Sequence, residues 1–359
     1  MFTTAPCIVG WSTLSPWGVG RESFLEGFRS DRPGRSGPVV GDGGPPPGYL
    51  IDADNLAGLV RGKGTRTLDR MTMMVLATST MLLDEQPAAA VPDTGLVLGT
   101  SAGSIDSITT FLRDTFVQDK PYFVNPAHFP NTVMNGAAGR TAIWHSLRGL
   151  NSTISAGHST GIAALRYASR MIRRGYAERL LVGAVEELSP PIAWAAHHMR
   201  SAAGPAGERV PMGEGCVLFL VERARAEGSQ TAPPVARLAG FEAGTAPLAD
   251  GAQALAEAIG TLLRRAGVDP ADLWAVSLGQ SGDGDADRAE SLAVERALGS
   301  ARPLLLTPSR KIGNSFSALG AFQVATLLAA AHGDRKLGRP ALVTSMGVDG
   351  AVSCALVIV

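Results

Sequence analysis

Cysteine is scarce in this chain. Among 359 residues there are only Cys7, Cys216 and Cys354. So small and odd a count argues against a disulfide-stapled fold and fits a reducing compartment. Each cysteine lies in an apolar, strand-like run (PCIVG, GCVLFLV, SCALVIV) and reads as a small buried hydrophobe. None has a CxxC or other metal-type spacing, so no metal and no cofactor is expected. Charge is also sparse and carries no excess of either sign. Charged residues make up 18%, with Lys+Arg and Asp+Glu both at 32. A nucleic-acid binder normally carries a basic surplus. So little charge points to surface that is covered, for instance by a partner. Long apolar runs are missing too. The best, Phe316 to Ala331, is broken by Ser317, Gly320 and Gln323, so no membrane span is expected. The opening MFTTAPCIVG lacks the basic start of a signal peptide. Together these absences predict a cytoplasmic protein.

What is abundant is apolar residues, at 45%, enough for a large core. The order of segments is repetitive. Strands are predicted from Ile8 and over Gly95–Leu98, Leu180–Ala184 and Cys216–Glu222. A short amphipathic helix is expected within Ser15–Ser30 and a mainly apolar one over Asp69–Asp84. Gly34–Tyr49 is too rich in Gly and Pro for regular structure. The polar, Pro-ended stretch Arg223–Pro234 reads as a linker between halves 1–228 and 235–359. The second half predicts strands at Ala236–Gly240 and Leu273–Leu278 and helices at Gly251–Ala266 and Asp287–Leu298. A strand-turn-helix (Leu304–Ala331) follows, then strands at Ala341–Ser345 and Ala351–Val359. Strand and helix alternate in both halves, which predicts an α/β layered fold with parallel sheets.

The stretch with chemical content is Asn151–Gly175, NSTISAGHSTGIAALRYASRMIRRG. Thr153-Ile154-Ser155 reads as the end of a buried strand, and Ala156–Gly161 as a tight turn of small residues. Ile162, Leu165, Ala168 and Ile172 then recur at helical spacing, and Gly175 is placed as a C-cap. His158 therefore stands on a strand-to-helix turn, at a helix N-terminus. Free N–H groups and the positive dipole end favour a thiolate or an oxyanion there. The residue present is histidine.

Other patterns compete with this one. Gly99–Ser104 (GTSAGS) matches the G-x-S-x-G elbow of serine hydrolases, with Ser101 as nucleophile and His332 as a conceivable base. Asp283, Asp285 and Asp287 have the spacing of a calcium loop. Its sixth and twelfth positions would be Arg288 and Val294 rather than Gly and Glu, so calcium is discounted. His197-His198 point apart on a helix and make a poor metal pair. His128 and His145 read as structural.

The Asn151–Gly161 motif resembles the active-site segment of β-ketoacyl synthases, with His158 at the cysteine position and Thr160-Gly161 as the following pair. Further residues register with the same family. Asn125–Asn135 is similar to its segment near the dimer interface and acyl pocket. Asp287 and Glu290 fit the end of its His-Gly-Thr-x-Thr-Pro-x-x-Asp…Glu pattern, which puts Gly279 where a histidine belongs. Gly313, Ala318 and Gly320 fit its Lys…Gly-His…Gly-Ala-Ala-Gly landmark, which puts Ser309 at the lysine and Asn314 at the second histidine. Gly347–Gly350 replaces Gly-Phe-Gly-Gly, with Val348 at the gating phenylalanine.

This resemblance covers nearly the whole chain and implies the αβαβα thiolase-like fold, two similar halves stacked. Decarboxylative condensation needs a nucleophile to hold the acyl chain, and donors to stabilise the enolate and oxyanion. With His158, Gly279, Ser309 and Asn314 in those places, no catalytic residue is expected. The chain then looks like the chain-length factor, or ketosynthase beta subunit, of type II polyketide synthases. That likeness implies a heterodimer with an active ketosynthase, and an acyl carrier protein bearing the acyl chain. It implies a tunnel-lining helix over Ser104–Phe116, with Ser104, Ser107 and Phe111 on one face. Two alternatives stay open. One is a ketosynthase-fold acyltransferase with another nucleophile, Ser159 or His158. The other is the Ser101 hydrolase.

Overall fold

The computed structural model describes residues 5–41, 44–62, 64–202, 210–224, 232–333 and 338–359. The first half contributes β1 (Cys7–Ser15), β2 (Gly95–Gly99), β3 (Asn151–Ile154), β4 (Arg179–Glu186) and β5 (Gly215–Glu222). They lie in the order β3-β2-β4-β5-β1. The second half contributes β6 (Ala236–Thr245), β7 (Ala275–Ser277), β8 (Leu304–Leu306), β9 (Pro340–Met346) and β10 (Ala351–Ile358). Their order is β8-β7-β9-β10-β6. Counted within its own half, each series runs third, second, fourth, fifth, first. The halves therefore share one topology. They join where Cys7 and Ile8 of β1 pair with Arg237 and Ala236 of β6.

The sheets are mixed, which corrects the expectation of parallel sheets. β2 is parallel to β3 and β4, and β7 is parallel to β8 and β9. The pairs β4–β5, β5–β1, β9–β10 and β10–β6 are antiparallel. The reason is plain at β9 and β10, which are joined by the turn Gly347–Gly350 alone; parallel neighbours need a longer crossover.

Strand alternation builds five layers. Leu96 and Leu98 of β2 face outward, with Met71, Met74 and Leu82 of α2 (Arg70–Glu85). Val97 faces the other way, toward Ile162 and Leu165 of α5 (Thr160–Arg173) and Phe322 of α9 (Leu319–Ala331). In the second half Leu342 and Leu356 pack under α7 (Gly251–Ala266) and α8 (Gly284–Leu298), whereas Val343 and Val357 face α5 and α9. The methionines of α2 are core, as expected. α5 and α9 form the middle layer. They touch so closely that a Cβ on Gly161 would lie 2.5 Å from the Ala321 backbone nitrogen. α9 is buried from Leu319 to Ala329, which is why it is apolar on every side. Among the described residues no helix is long and apolar enough to cross a membrane.

One further sequence expectation changes. β3 is the outermost strand of its sheet, so its residues are half-buried or exposed rather than buried. The predicted linker falls largely on residues 225–231, outside the described residues.

Candidate functional site

The His158 turn is held by hydroxyl groups. Thr160 Oγ1 accepts from the Ala156 N–H at 2.8 Å and donates to the Gly157 carbonyl at 2.7 Å. Ser101 Oγ meets the same Thr160 oxygen at 2.7 Å. Gly157 has φ +54°, and a Cβ there would lie 3.1 Å from an Asp349 carboxylate oxygen. The turn delivers a half-buried His158 to the N-terminus of α5. Its ring stands edge-on to Phe316 at 4.6 Å between centroids. Its Nε2 lies 3.4 Å from Asn314 Nδ2. Phe316 has φ +48°, a conformation uncommon for a bulky side chain.

Asn314 is buried and links His158 to the second half. Its Nδ2 donates to the Ser281 carbonyl at 2.9 Å, and its Oδ1 accepts from the Phe316 N–H at 2.9 Å. Ser309 Oγ donates to the neighbouring Gln280 carbonyl at 2.7 Å. Gly279 opens that loop. The sequence-predicted positions His158, Gly279, Ser309 and Asn314 therefore gather around residues 279–281, although 156 residues separate His158 from Asn314.

Buried glutamates pin the turn on either side of the site. Glu290 accepts from the Gly279 and Gln280 N–H groups at 2.9 Å each and from Thr344 Oγ1 at 2.7 Å. Burial pushes its carboxyl up to about 7. In the other half, Glu186 accepts from the Ser101 and Ala102 N–H groups at 3.2 Å each, from Thr100 Oγ1 and from Ser317 Oγ. Burial raises it as well. Phe316, Ser281 and Glu186 escaped the sequence reading of the site.

No thiol stands at this site. Cys7, Cys216 and Cys354 are buried and free, and burial pushes Cys216 and Cys354 up to about 12. Ser159 is buried, and its Oγ accepts from Ser353 at 2.9 Å. The hydrogen-bond partners of Ser101 Oγ are Thr160, Ser155 and the Gly157 carbonyl, none of them a base. His332 is exposed just beyond α9. That helix starts beside Gly161, and at roughly 1.5 Å per residue its far end lies about 20 Å away. Among the described residues, then, no base is hydrogen-bonded to Ser101 Oγ as a hydrolase needs.

The aspartates of the supposed calcium loop are occupied in capping. Asp283 accepts from the Asp285 and Ala286 N–H groups, and Asp287 from the Gly282 N–H. Among the described residues no group of three His, Cys, Asp or Glu is placed to hold a metal ion. His198 stacks on Trp194. His145 is structural, bonded to Ser79 Oγ at 2.9 Å. His128 is not packed inside; it is exposed and borders a cavity.

That cavity lies along α3 (Ile105–Val117) and measures about 410 Å³. Ser107, Thr110 and Phe111 line it with Asp69, Asn131 and His128. Ser107 also borders a second cavity of about 420 Å³, with Arg70, Asp106 and Glu187. Burial beside Asp69 pushes the Glu187 carboxyl up to about 8. Ser104 precedes α3, is buried, and lines neither cavity. Of the three expected tunnel residues, Ser107 and Phe111 share a cavity and Ser104 does not.

Comparison with known proteins agrees with this geometry. Residues 7–226 match the model of the beta-ketoacyl synthase N-terminal domain. A putative polyketide beta-ketoacyl synthase 2 of Streptomyces halstedii is 27% identical, covering 90% of this chain and 84% of its own. A putative polyketide beta-ketoacyl synthase 1 of Streptomyces virginiae is 24% identical, covering 89% and 83%. A chain of the ishigamide ketosynthase/chain length factor structure superposes with a TM-score of 0.86 at 33% identity, covering 99% of both. The thiolase-like fold, the match to the family model and the similarity along the chain lead to one conclusion: this chain belongs to the β-ketoacyl synthase family.

Proposed function

We propose that the chain is a chain-length-factor-like subunit that does not condense on its own, pairs with an active ketosynthase and shapes the tunnel for an acyl chain delivered by a carrier protein. The observation that carries this reading is the set of side chains gathered at residues 279–281. A half-buried histidine, a glycine, a buried serine and a buried asparagine stand there, with Asn314 and Ser309 bonded to backbone carbonyls. The set contains no thiol to hold an acyl group, and its one hydroxyl, Ser309 Oγ, is committed to the Gln280 carbonyl. In this reading the halves 1–228 and 235–359 serve as a scaffold, in the cytoplasm, without cofactor or metal.

The surface supports a paired subunit. Phe116, Phe123, Phe129 and Ile143 are exposed by 86%, 54%, 58% and 78%. So much exposed apolar surface along α3 and the segments after it is typical of an interface. The cavity on α3 opens beside that surface, with Ser107 leaving room and Phe111 packed against Phe129 at 6.0 Å.

Reconstitution with a ketosynthase subunit and malonyl-loaded carrier protein tests the reading. Product is expected from the pair and from neither subunit alone. Ser107→Trp is expected to shorten the product, because the indole fills the cavity. Unchanged chain length from a folded Ser107→Trp pair would remove the tunnel assignment.

A further inference from the structure

From Lys120 to Ala177 the chain has no Asp and no Glu. It has Lys120, Arg140, Arg148, Arg166, Arg170, Arg173 and Arg174, in a protein whose acids and bases balance at 32 each. The fold gathers much of this stretch onto one side. β3 is the outermost strand of the sheet. α4 (Gly136–Trp144) packs on it, with Asn151 Nδ2 donating to the Ala138 carbonyl at 3.1 Å. α5 packs on it too, with Ser152 Oγ donating to Tyr167 Oη at 3.2 Å. Whatever continues the sheet beyond β3 must therefore meet both helices.

α4 exposes Ile143 and Trp144. α5 exposes Arg166 and Arg170, and its C-cap Arg174 continues them at i, i+4, i+8 on one stripe. Among the described residues no carboxylate pairs with these three. Nearby Glu222 and Glu178 are paired with Arg179 and Arg223. Arg173 reaches the Leu238 and Ala239 carbonyls.

We propose that this face selects a ketosynthase-fold partner whose facing side carries carboxylates, and that it disfavours a second copy of this chain. The inference rests on the paired-subunit reading above. The physical reason is symmetry. A two-fold axis that continues the sheet across β3 keeps α5 on the same side in both copies, and an isologous interface sets each patch against itself. The arginine stripe would then meet its own copy, where like charges lose solvent and gain no partner. A partner with Asp or Glu opposite the stripe turns the same contacts into ion pairs. The apolar surface supplies contact area to either partner; the charge makes the choice.

The test is association of the chain with itself and with a charge-reversed copy, Arg166→Glu/Arg170→Glu/Arg174→Glu. It is read by sedimentation at about 0.1 M and about 1 M NaCl, where the Debye length falls from about 10 Å to about 3 Å. Wild type alone is expected to be monomeric at the lower salt and to self-associate about tenfold more tightly at the higher. Wild type mixed with the Glu variant is expected to form a mixed dimer at the lower salt that weakens at the higher. A wild-type dimer indifferent to salt, or no mixed dimer with a folded Glu variant, overturns the proposal. Should the Glu variant not fold, Arg166→Gln/Arg170→Gln/Arg174→Gln is expected to self-associate about tenfold more tightly than wild type at the lower salt, and equal association overturns the proposal. An acyl group found on this chain would sink the non-catalytic reading and leave this result untouched, so the two failures are distinguishable.

Discussion

His158 occupies the place where a nucleophile has most to gain from its surroundings, yet those surroundings are built to hold a ring. Phe316 packs against it in a T-shaped pair and Asn314 lies beside its Nε2. Substituting His158→Cys is expected to create a thiol that iodoacetamide labels, and no condensing activity, because Gly279, Ser309 and Asn314 supply no imidazole or ammonium. Peptide mass mapping together with a product assay checks both parts. Ketoacyl product from the variant would show that those positions are not the deficit. A second residue-scale consequence concerns Glu187, whose carboxyl is raised to about 8 by burial. Its folded value lies above its unfolded one, so the folded chain binds the extra proton. The stabilisation is complete below about 4.5 and is lost as pH rises toward about 8. The loss is on the order of 1 kcal/mol per pH unit within that window. Glu187→Gln is expected to flatten the dependence. Urea midpoints at mildly acidic and mildly alkaline pH measure it; a slope unchanged by the variant would reassign the effect to other groups. The His158 turn could be read from sequence because the bonds of Thr160 to Ala156 and Gly157 that close it are local, although Ser101 braces it from elsewhere in the chain. Phe316 could not, since its role comes from a positive φ and a contact across the chain.

Among the elements, α5 and α9 decide where the site sits. Their N-terminal ends meet at Gly161, Gly320 and Ala321, which brings the His158 turn of one half against the Asn314–Ser317 segment of the other. Gly161→Ala is expected to destabilise by about 1–3 kcal/mol through overpacking, because the added methyl would meet backbone rather than a yielding side chain. Denaturant unfolding checks it, and a variant as stable as wild type would mean that the helices can separate without cost. Much of this level was legible. α7 spans the predicted Gly251–Ala266, and α2 begins one residue after the predicted start because Asp69 is its cap. β3 was misjudged for a physical reason. Its Thr and Ile suit a buried strand, but burial depends on strand order, and no local pattern encodes which strand lies outermost. The same holds for strand direction, which produced the mixed rather than parallel sheets.

The whole molecule is two halves of identical strand order with the site between them, a cavity-bearing helix α3, and one side where exposed apolar residues and the arginines of α5 are gathered. The repeat was visible in the order of elements and the family in the registered motifs. The proposed partner face was not, because no single segment makes it; α3, α4, β3 and α5 meet only in the fold. The central claim is that the chain shapes a tunnel and carries no acyl group. Intact mass spectrometry after incubation with malonyl-loaded and acyl-loaded carrier protein addresses it most directly. The expected result is an unshifted mass and no ketoacyl product until a ketosynthase subunit is added. A stable acyl adduct on the chain alone would contradict the claim, and peptide mapping of that adduct would identify the nucleophile.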